Sequence, residues 1–275
     1  MLIPPTLAAV GLGASLPAIA AFNVITLEYA EGIILGAERA QRPVVLSISH
    51  NAVRFHGGLA PLAAACRALA DSASVPVLLH LDHCESEELV LESAGLGFAS
   101  AMFDASTLPY AENVAATARV AALGQERGLW IEAELGEIGG KDGAHAPGVR
   151  TDPAEAAAFV AATGVDALAV AVGTSHAMTE RTARPDAALI ARLADAVPVA
   201  LVLHGSSGVD DDGIRAAVAA GIRKVNVGTQ LSAAYSRALR TELGDRADPR
   251  RALTAAREAI AADVEHLLGV ISTPL

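Results

Sequence analysis

Eight short apolar runs recur along the 275-residue chain, each bounded by turn-forming residues and followed by a longer alanine-rich stretch with helical spacing. They cover 20–25, 43–49, 75–82, 98–104, 129–135, 167–173, 198–204 and 224–229. Runs that are continuously Val/Ile/Leu-rich, rather than alternating, suit strands buried on both faces, as in a parallel sheet. Helical segments are expected at about 57–72, 86–95, 109–127, 186–196, 210–220 and 230–243, with a longer one at 249–270. A further helix starts where Asp152 offers an N-cap, Pro153 the first helical position and Glu155 the third. Eight alternations predict an α/β fold, a single-domain TIM (β/α)8 barrel over 1–275 with a C-terminal helical extension from about 245. A doubly wound open sheet is the competing architecture. It would more usually carry a glycine fingerprint after its first strand, and Asn23-Val24-Ile25-Thr26 is not one.

Composition narrows the partners. The net charge is −11 and no basic run occurs, so nothing resembles the stripe that displaces counterions from nucleic-acid phosphates. No stretch is long and apolar enough to predict a membrane span. The apolar beginning lacks the charged start of a signal peptide, its first basic residue being Arg39, so a cytoplasmic location is expected. Cys66 and Cys84 make no disulfide framework and are read as reduced thiols. Aromatic residues amount to 3%, which leaves the core to Ala, Val, Leu and Ile.

Polar residues gather at the C-terminal ends of the runs. These are Asn23, Ser49, Asp82 with His83, Asp104, Glu134, His176, His204 with Gly205, and Asn226 through Thr229. In a barrel those ends form one face, where active sites are built. A lone histidine is ordinarily solvated or hydrogen-bonded, and His50, His56, His80, His145 and His266 are read that way. His83, His176 and His204 follow three different strands, and three imidazoles plus an open position suit a catalytic zinc. Asp104 and Glu134 lie between them in the sequence and either orient the ligands or hold a second cation, divalent or monovalent. Cys84 is read as packing.

Two small-residue turns, Gly205-Ser206-Ser207-Gly208 and Asn226-Val227-Gly228-Thr229, lie between strand ends and helix starts, where backbone N–H groups favour an anion. Barrels commonly bind phosphate after strands seven and eight. The glycine-rich stretch 136–143 reads either as a lid carrying Asp142 or Lys141, or as a plain surface loop.

Together these segments resemble the class II, metal-dependent fructose-bisphosphate and tagatose-bisphosphate aldolases. The resemblance rests on Ala21-Phe22-Asn23-Val24, His80-Leu81-Asp82-His83, Phe103-Asp104-Ala105-Ser106, Glu132-Ala133-Glu134-Leu135-Gly136, Gly173-Thr174-Ser175-His176, Leu203-His204-Gly205-Ser206-Ser207-Gly208 and Lys224-Val225-Asn226-Val227-Gly228-Thr229. It implies that His83, His176 and His204 hold zinc, with Asp104 and Glu134 at a secondary cation site. It also implies Asp82 as acid/base and Asp142 as the proton-exchanging group of the mobile loop. A sugar phosphate would contact Asn23, Ser49, Ala177, Gly205, Ser206, Ser207, Asn226, Val227, Gly228 and Thr229. The expected reaction is cleavage of a ketose bisphosphate to dihydroxyacetone phosphate and an aldehyde, by a homodimer or homotetramer.

The chain departs from this family at Ala177, usually glycine, and at Met178-Thr179-Glu180-Arg181, which replaces a tyrosine–lysine pair. Arg181 or Arg184 would have to supply a cation there. Asp142 stands for the usual glutamate, and Ser206 and Gly228 replace commoner small residues. A Schiff-base aldolase would need a lysine at the active face. Lys141 and Lys224 are the two present, and Lys224 is read as starting strand eight at the opposite end. A metal-dependent hydrolase would more often carry His-x-His after strand one. A non-catalytic or altered-specificity sugar-phosphate binding barrel is the remaining alternative.

Overall fold

The structure is a computed structural model, described here for residues 16–135, 149–176, 178–245 and 247–273. The eight runs form β1 (Ile19–Asn23), β2 (Val44–Ser49), β3 (Val77–Cys84), β4 (Ser100–Phe103), β5 (Trp130–Glu134), β6 (Ala167–Ala169), β7 (Ala200–Leu203) and β8 (Ile222–Val227). Every neighbouring pair is parallel, and β8 returns to β1 in a register running from Ile19↔Lys224 to Phe22↔Val227. This closure removes the open sheet from consideration. The chain is a TIM barrel.

Helices follow the strands: α1 (Leu27–Ala40), α2 (His50–His56), α3 (Ala60–Ser72), α4 (Glu87–Gly95), α5 (Tyr110–Gln125), α6 (Pro153–Thr163), α7 (Ala187–Ala196), α8 (Asp211–Ala220), α9 (Thr229–Leu243) and α10 (Arg250–Ser272). The start predicted at Asp152 is present. Its carboxylate accepts from the N–H groups of Ala154 at 2.8 Å and Glu155 at 3.0 Å. The seven-residue α2 has no apolar period to announce it. Ser49, expected at the substrate, caps it by accepting from Ala52 N–H at 3.2 Å. Among the described residues no helix is long and apolar enough to cross a membrane.

Strand eight begins two residues earlier than its apolar pattern suggests. Arg223 hides the start: it turns outward, and its guanidinium donates to the carbonyls of Val218 and Ile222 at 3.1 and 2.9 Å. Lys224 therefore lies within the strand, not at its beginning, and its side chain is 2% exposed inside the barrel.

Strand alternation divides the core. Residues facing the helices form the larger apolar layer, while Ile19, Ala21, Val45, Met102, Trp130, Ala167, Ala169, Ala171, Ala200 and Val202 pack within the barrel. Barrel interiors are usually filled by branched residues. Alanines on β6 and β7 instead leave volume inside the barrel. That volume is occupied by Trp130 and, nearer the mouth, by His80, Glu132 and Lys224, all buried.

Candidate active site and metal centre

Asp82 and His83 are consecutive, so an ideal strand would turn one inward and the other to the helices. The β3–β4 register shifts between Leu81 and Cys84, and His83 takes a left-handed φ of 47°. A bulge of this kind re-aims a side chain at a barrel rim. Both residues consequently reach the mouth. A non-glycine residue at positive φ is uncommon and is held against its preference by its surroundings. Here Asp104 accepts from His83 Nδ1 at 2.8 Å and is itself fixed by the Ser106 hydroxyl at 2.6 Å. Cys84 turns away, its thiol buried and donating to the Ser86 carbonyl at 3.3 Å, in keeping with a packing role.

The barrel brings His83, His176 and His204 together from the ends of β3, β6 and β7. One ring nitrogen of each lies within 4.8 Å of the others, and His83 Nε2 is 3.0 Å from His204 Nδ1. Two imidazoles sharing a tetrahedral zinc at about 2.0–2.1 Å have nitrogens roughly 3.3 Å apart, so the donor set fits such an ion. His83, Asp104 and Glu134 form a second group of the same tightness, sharing His83 with the first.

Asp82 is 2% exposed. The Asn23 amide donates to its Oδ2 at 2.9 Å and the Asn226 amide to its Oδ1 at 3.3 Å. Burial by itself would raise this carboxyl, but the surrounding imidazoles and Lys224 draw it below the ordinary carboxylate range. It stands ionised at the mouth.

A cavity of about 170 Å³ opens above these groups, lined by Asn23, His83, Ser175, His176, His204, Gly205, Ser207, Asn226, Gly228 and Thr229. It gathers most of the sequence-predicted contacts, but not Ser49, Ser206 or Val227. Ser206 turns inward and its hydroxyl donates to the Asn226 carbonyl, while Val227 alternates away from Asn226 into the helix-facing core. Ser175 lines the cavity although its sequence position carried no polar signal beyond adjacency to His176. Ala177, Lys141, Asp142 and His145 lie outside the described residues. Both arginines expected to replace the lysine have carboxylate partners, and Arg181 also lines a cavity with Ser207, Thr229 and Gln230. Arg181 donates to the Val209 carbonyl at 2.7 Å and to Asp211 at 2.6 Å, and Arg184 pairs with Asp210.

Gly205 has φ 68°, and a Cβ there would lie 2.6–2.8 Å from the Ser175 backbone. Gly205→Ala is therefore expected to cost upward of roughly 1–2 kcal/mol from backbone conformation alone. It should also displace the loop carrying His176, so thermal unfolding and metal affinity should both fall. Unchanged metal affinity would show that the close approach does not position the ligand.

Beneath the mouth lies a polar layer that pattern reading did not assign. Lys224 Nζ donates to Glu132 Oε2 at 2.6 Å and to His80 Nε2 at 3.1 Å, while His80 Nδ1 meets the Ser100 hydroxyl at 2.8 Å. Glu132 Oε1 accepts from His204 Nε2 at 3.0 Å. His80, read as an ordinary hydrogen-bonded histidine, is fully buried. The available signal was strand period: His80, Glu132 and Lys224 each precede a mouth residue, Asp82, Glu134 and Asn226, by two. Burial, aided by Lys224, pushes the His80 imidazole down to about 3. The unfolded chain thus binds a proton at this residue below about 6.5 that the folded chain refuses until far lower pH. Unfolding free energy should fall as pH drops from 6.5 toward 3. Denaturant titration of the metal-free protein at pH 7.5 and 5 checks this, and equal stabilities would contradict it.

The sequence model of the family Fructose-bisphosphate aldolase class-II matches residues 14–273. A probable fructose-bisphosphate aldolase of Bacillus subtilis (strain 168) is 37% identical over 250 residues, covering 88% of each chain. The fructose-bisphosphate aldolase of Geobacillus stearothermophilus is 35% identical over 254 residues, covering 90% of this chain and 88% of its own. Among solved structures, the YdjI aldolase of Escherichia coli K12 superposes with a TM-score of 0.82 at 32% identity, over 92% of this chain and 91% of that one. The chain belongs to the class II fructose-bisphosphate aldolase family.

Proposed function

We propose that this chain is a zinc-dependent aldolase that cleaves a ketose bisphosphate, or forms it in reverse, yielding dihydroxyacetone phosphate and an aldehyde such as glyceraldehyde 3-phosphate. The observation that carries this reading is the convergence of His83 Nε2 and His204 Nδ1. Each ring has its other nitrogen against a carboxylate, Asp104 or Glu132, which favours the protons there and presents His83 Nε2 and His204 Nδ1, 3.0 Å apart, as donors to one cation. His176 completes the donor set, and Asp104 and Glu134 suit a second cation.

A divalent cation held there would supply Lewis acidity, polarising the substrate carbonyl and stabilising the negative charge that develops on cleavage. Asp82 acts as the base, removing the proton from the C4 hydroxyl as the C3–C4 bond breaks and the C4 oxygen becomes the aldehyde. Asn23 and Asn226 hold both carboxylate oxygens and so aim the base. The bond's electron pair remains on the three-carbon fragment, to which Asp142 is proposed to return a proton. The fragment's phosphate is placed against Gly205, Ser207, Gly228 and Thr229. There the N-terminus of α9 favours an anion, and its Gln230 N–H already donates to the Ser207 hydroxyl at 3.1 Å. A cytoplasmic homodimer or homotetramer is part of the same reading.

A Cβ at Gly228 would lie 2.8 Å from Asn23 Oδ1. Gly228→Ala is expected to shift Asn23 and with it Asp82, lowering kcat on the order of 10- to 100-fold with metal content intact. Normal turnover in this variant would remove Asn23 from the account.

One observation favours a variant of this reading. Among the described residues, Arg181 lines a cavity with Ser207 and Thr229 but is paired to Asp211, and Arg184 is paired to Asp210, so partly neutralised arginines stand where the tyrosine–lysine pair would bring a free cation. An altered-specificity enzyme of the same family follows. A coupled assay across ketose mono- and bisphosphates tests both: cleavage of fructose or tagatose bisphosphate supports the first, selective cleavage of another ketose phosphate the second, and no triose product from any ketose rejects both.

A further inference from the structure

The buried charges beneath the mouth call for a reason. Removing an ion pair from water is costly, and apolar replacements of similar volume are often neutral or stabilising, so fold stability alone does not explain Lys224 and Glu132 inside a barrel. Their geometry supplies another explanation. Glu132 is 0% exposed and divides its oxygens: Oε2 takes the Lys224 ammonium at 2.6 Å, and Oε1 lies 3.0 Å from His204 Nε2. A carboxylate committed to an ammonium is an acceptor, so the proton of the His204 ring belongs on Nε2. The other nitrogen, Nδ1, is then the lone-pair donor, and it is the one turned to His83. Asn226 Nδ2 also lies 3.3 Å from His204 Nε2, but this contact is longer than the carboxylate's, and the amide has Asp82 as its acceptor.

We propose that Glu132, held by Lys224, is a positioning residue that fixes the His204 tautomer and ring orientation, and through them the affinity of the metal centre. Lys224 is thereby part of the metal site without touching it. An uncharged acceptor in place of Glu132 would leave the buried Lys224 ammonium without its carboxylate. His80 completes the arrangement by accepting from Lys224 through Nε2 while its Nδ1–H faces Ser100. The ammonium is thus aimed at Glu132 from a defined direction. The inference rests on His204 being a ligand, as in the proposed function, but not on any sugar being cleaved.

Its test has two parts, neither using substrate. In the metal-free full chain, ring 15N shifts should show His204 protonated on Nε2; protonation on Nδ1 would overturn the proposal outright. In Glu132→Leu/Lys224→Met, which removes both buried charges but also the partners of His204 Nε2 and His80 Nε2, the metal-free protein should still unfold cooperatively, with thermal stability near the parent's. Cobalt(II) affinity, measured by chelator competition, should nevertheless weaken roughly 10- to 100-fold, the effect usual for losing a partner of a ligating histidine. Cobalt affinity within threefold of the parent would refute it. Failure of the parent chain to bind cobalt at all would instead refute the metal reading, and the ring shifts would still decide the tautomer. Should the double variant not fold, the ring shifts decide alone.

Discussion

Asp82→Asn is expected to lower kcat by roughly 10²- to 10⁴-fold, the usual contribution of a positioned general base. Its metal content should stay at the parent level. The substitution preserves shape and removes the charge that accepts the substrate proton. It also turns an amide N–H₂ toward the amides of Asn23 or Asn226, which now donate to the carboxylate at 2.9 and 3.3 Å. Leaving one of these buried donors unmatched costs about 1–3 kcal/mol. A modest loss of thermal stability should therefore accompany the loss of rate. A proton transfer occurring only in the transition state reduces kcat and kcat/KM together, whereas a binding role would raise KM with kcat retained. Turnover within tenfold of the parent, in a variant shown to carry its metal, would take the acid/base role away from Asp82.

Metal removal is expected to have the largest effect of all. Dialysis against a chelator should bring ketose bisphosphate cleavage to background, and added zinc should restore it; full activity after complete removal would defeat the zinc reading. Stability should respond as well. An ion present at 1,000 times its dissociation constant contributes about 4 kcal/mol to the folded state. At roughly 2–4 °C per kcal/mol for domains near this size, Tm should fall on the order of 10 °C. His204→Ala should mimic this in part and add a structural cost, since Glu132 Oε1 would lose the imidazole it meets at 3.0 Å. The two causes separate on adding zinc, which should raise the parent's Tm and leave the variant's nearly unmoved.

Period and position made much of the molecule legible. The eight apolar runs correspond to eight strands, and the polar residues closing them gather at one mouth because parallel strands of a closed barrel share a C-terminal face. The Asp152-Pro153 start and the placement of His83, His176 and His204 follow from local signals of the same kind. Ser49, Ser206 and Val227 were less legible. Ser206 and Val227 stand beside site residues in sequence and Ser49 closes a strand, but strand alternation, an inward hydrogen bond or a helix cap engages each, and only the course of the backbone reveals which.

The three histidines with their carboxylates, the family to which they belong and the fold that carries them are properties of the linear pattern. They depend on which residues end which strand. Three things depended on tertiary structure. The bulge and left-handed φ at His83 allow two consecutive residues to serve one site, a local conformation imposed by packing against preference. Arg181 and Arg184 find carboxylates at the start of α8, Asp211 and Asp210, pairings that their own sequence positions do not announce. Lys224, two residues before the mouth residue Asn226, meets Glu132 across the barrel, 92 residues away. Pairings of this range are set by barrel closure and by the volume that small residues on β6 and β7 leave open, neither of which is written within one strand.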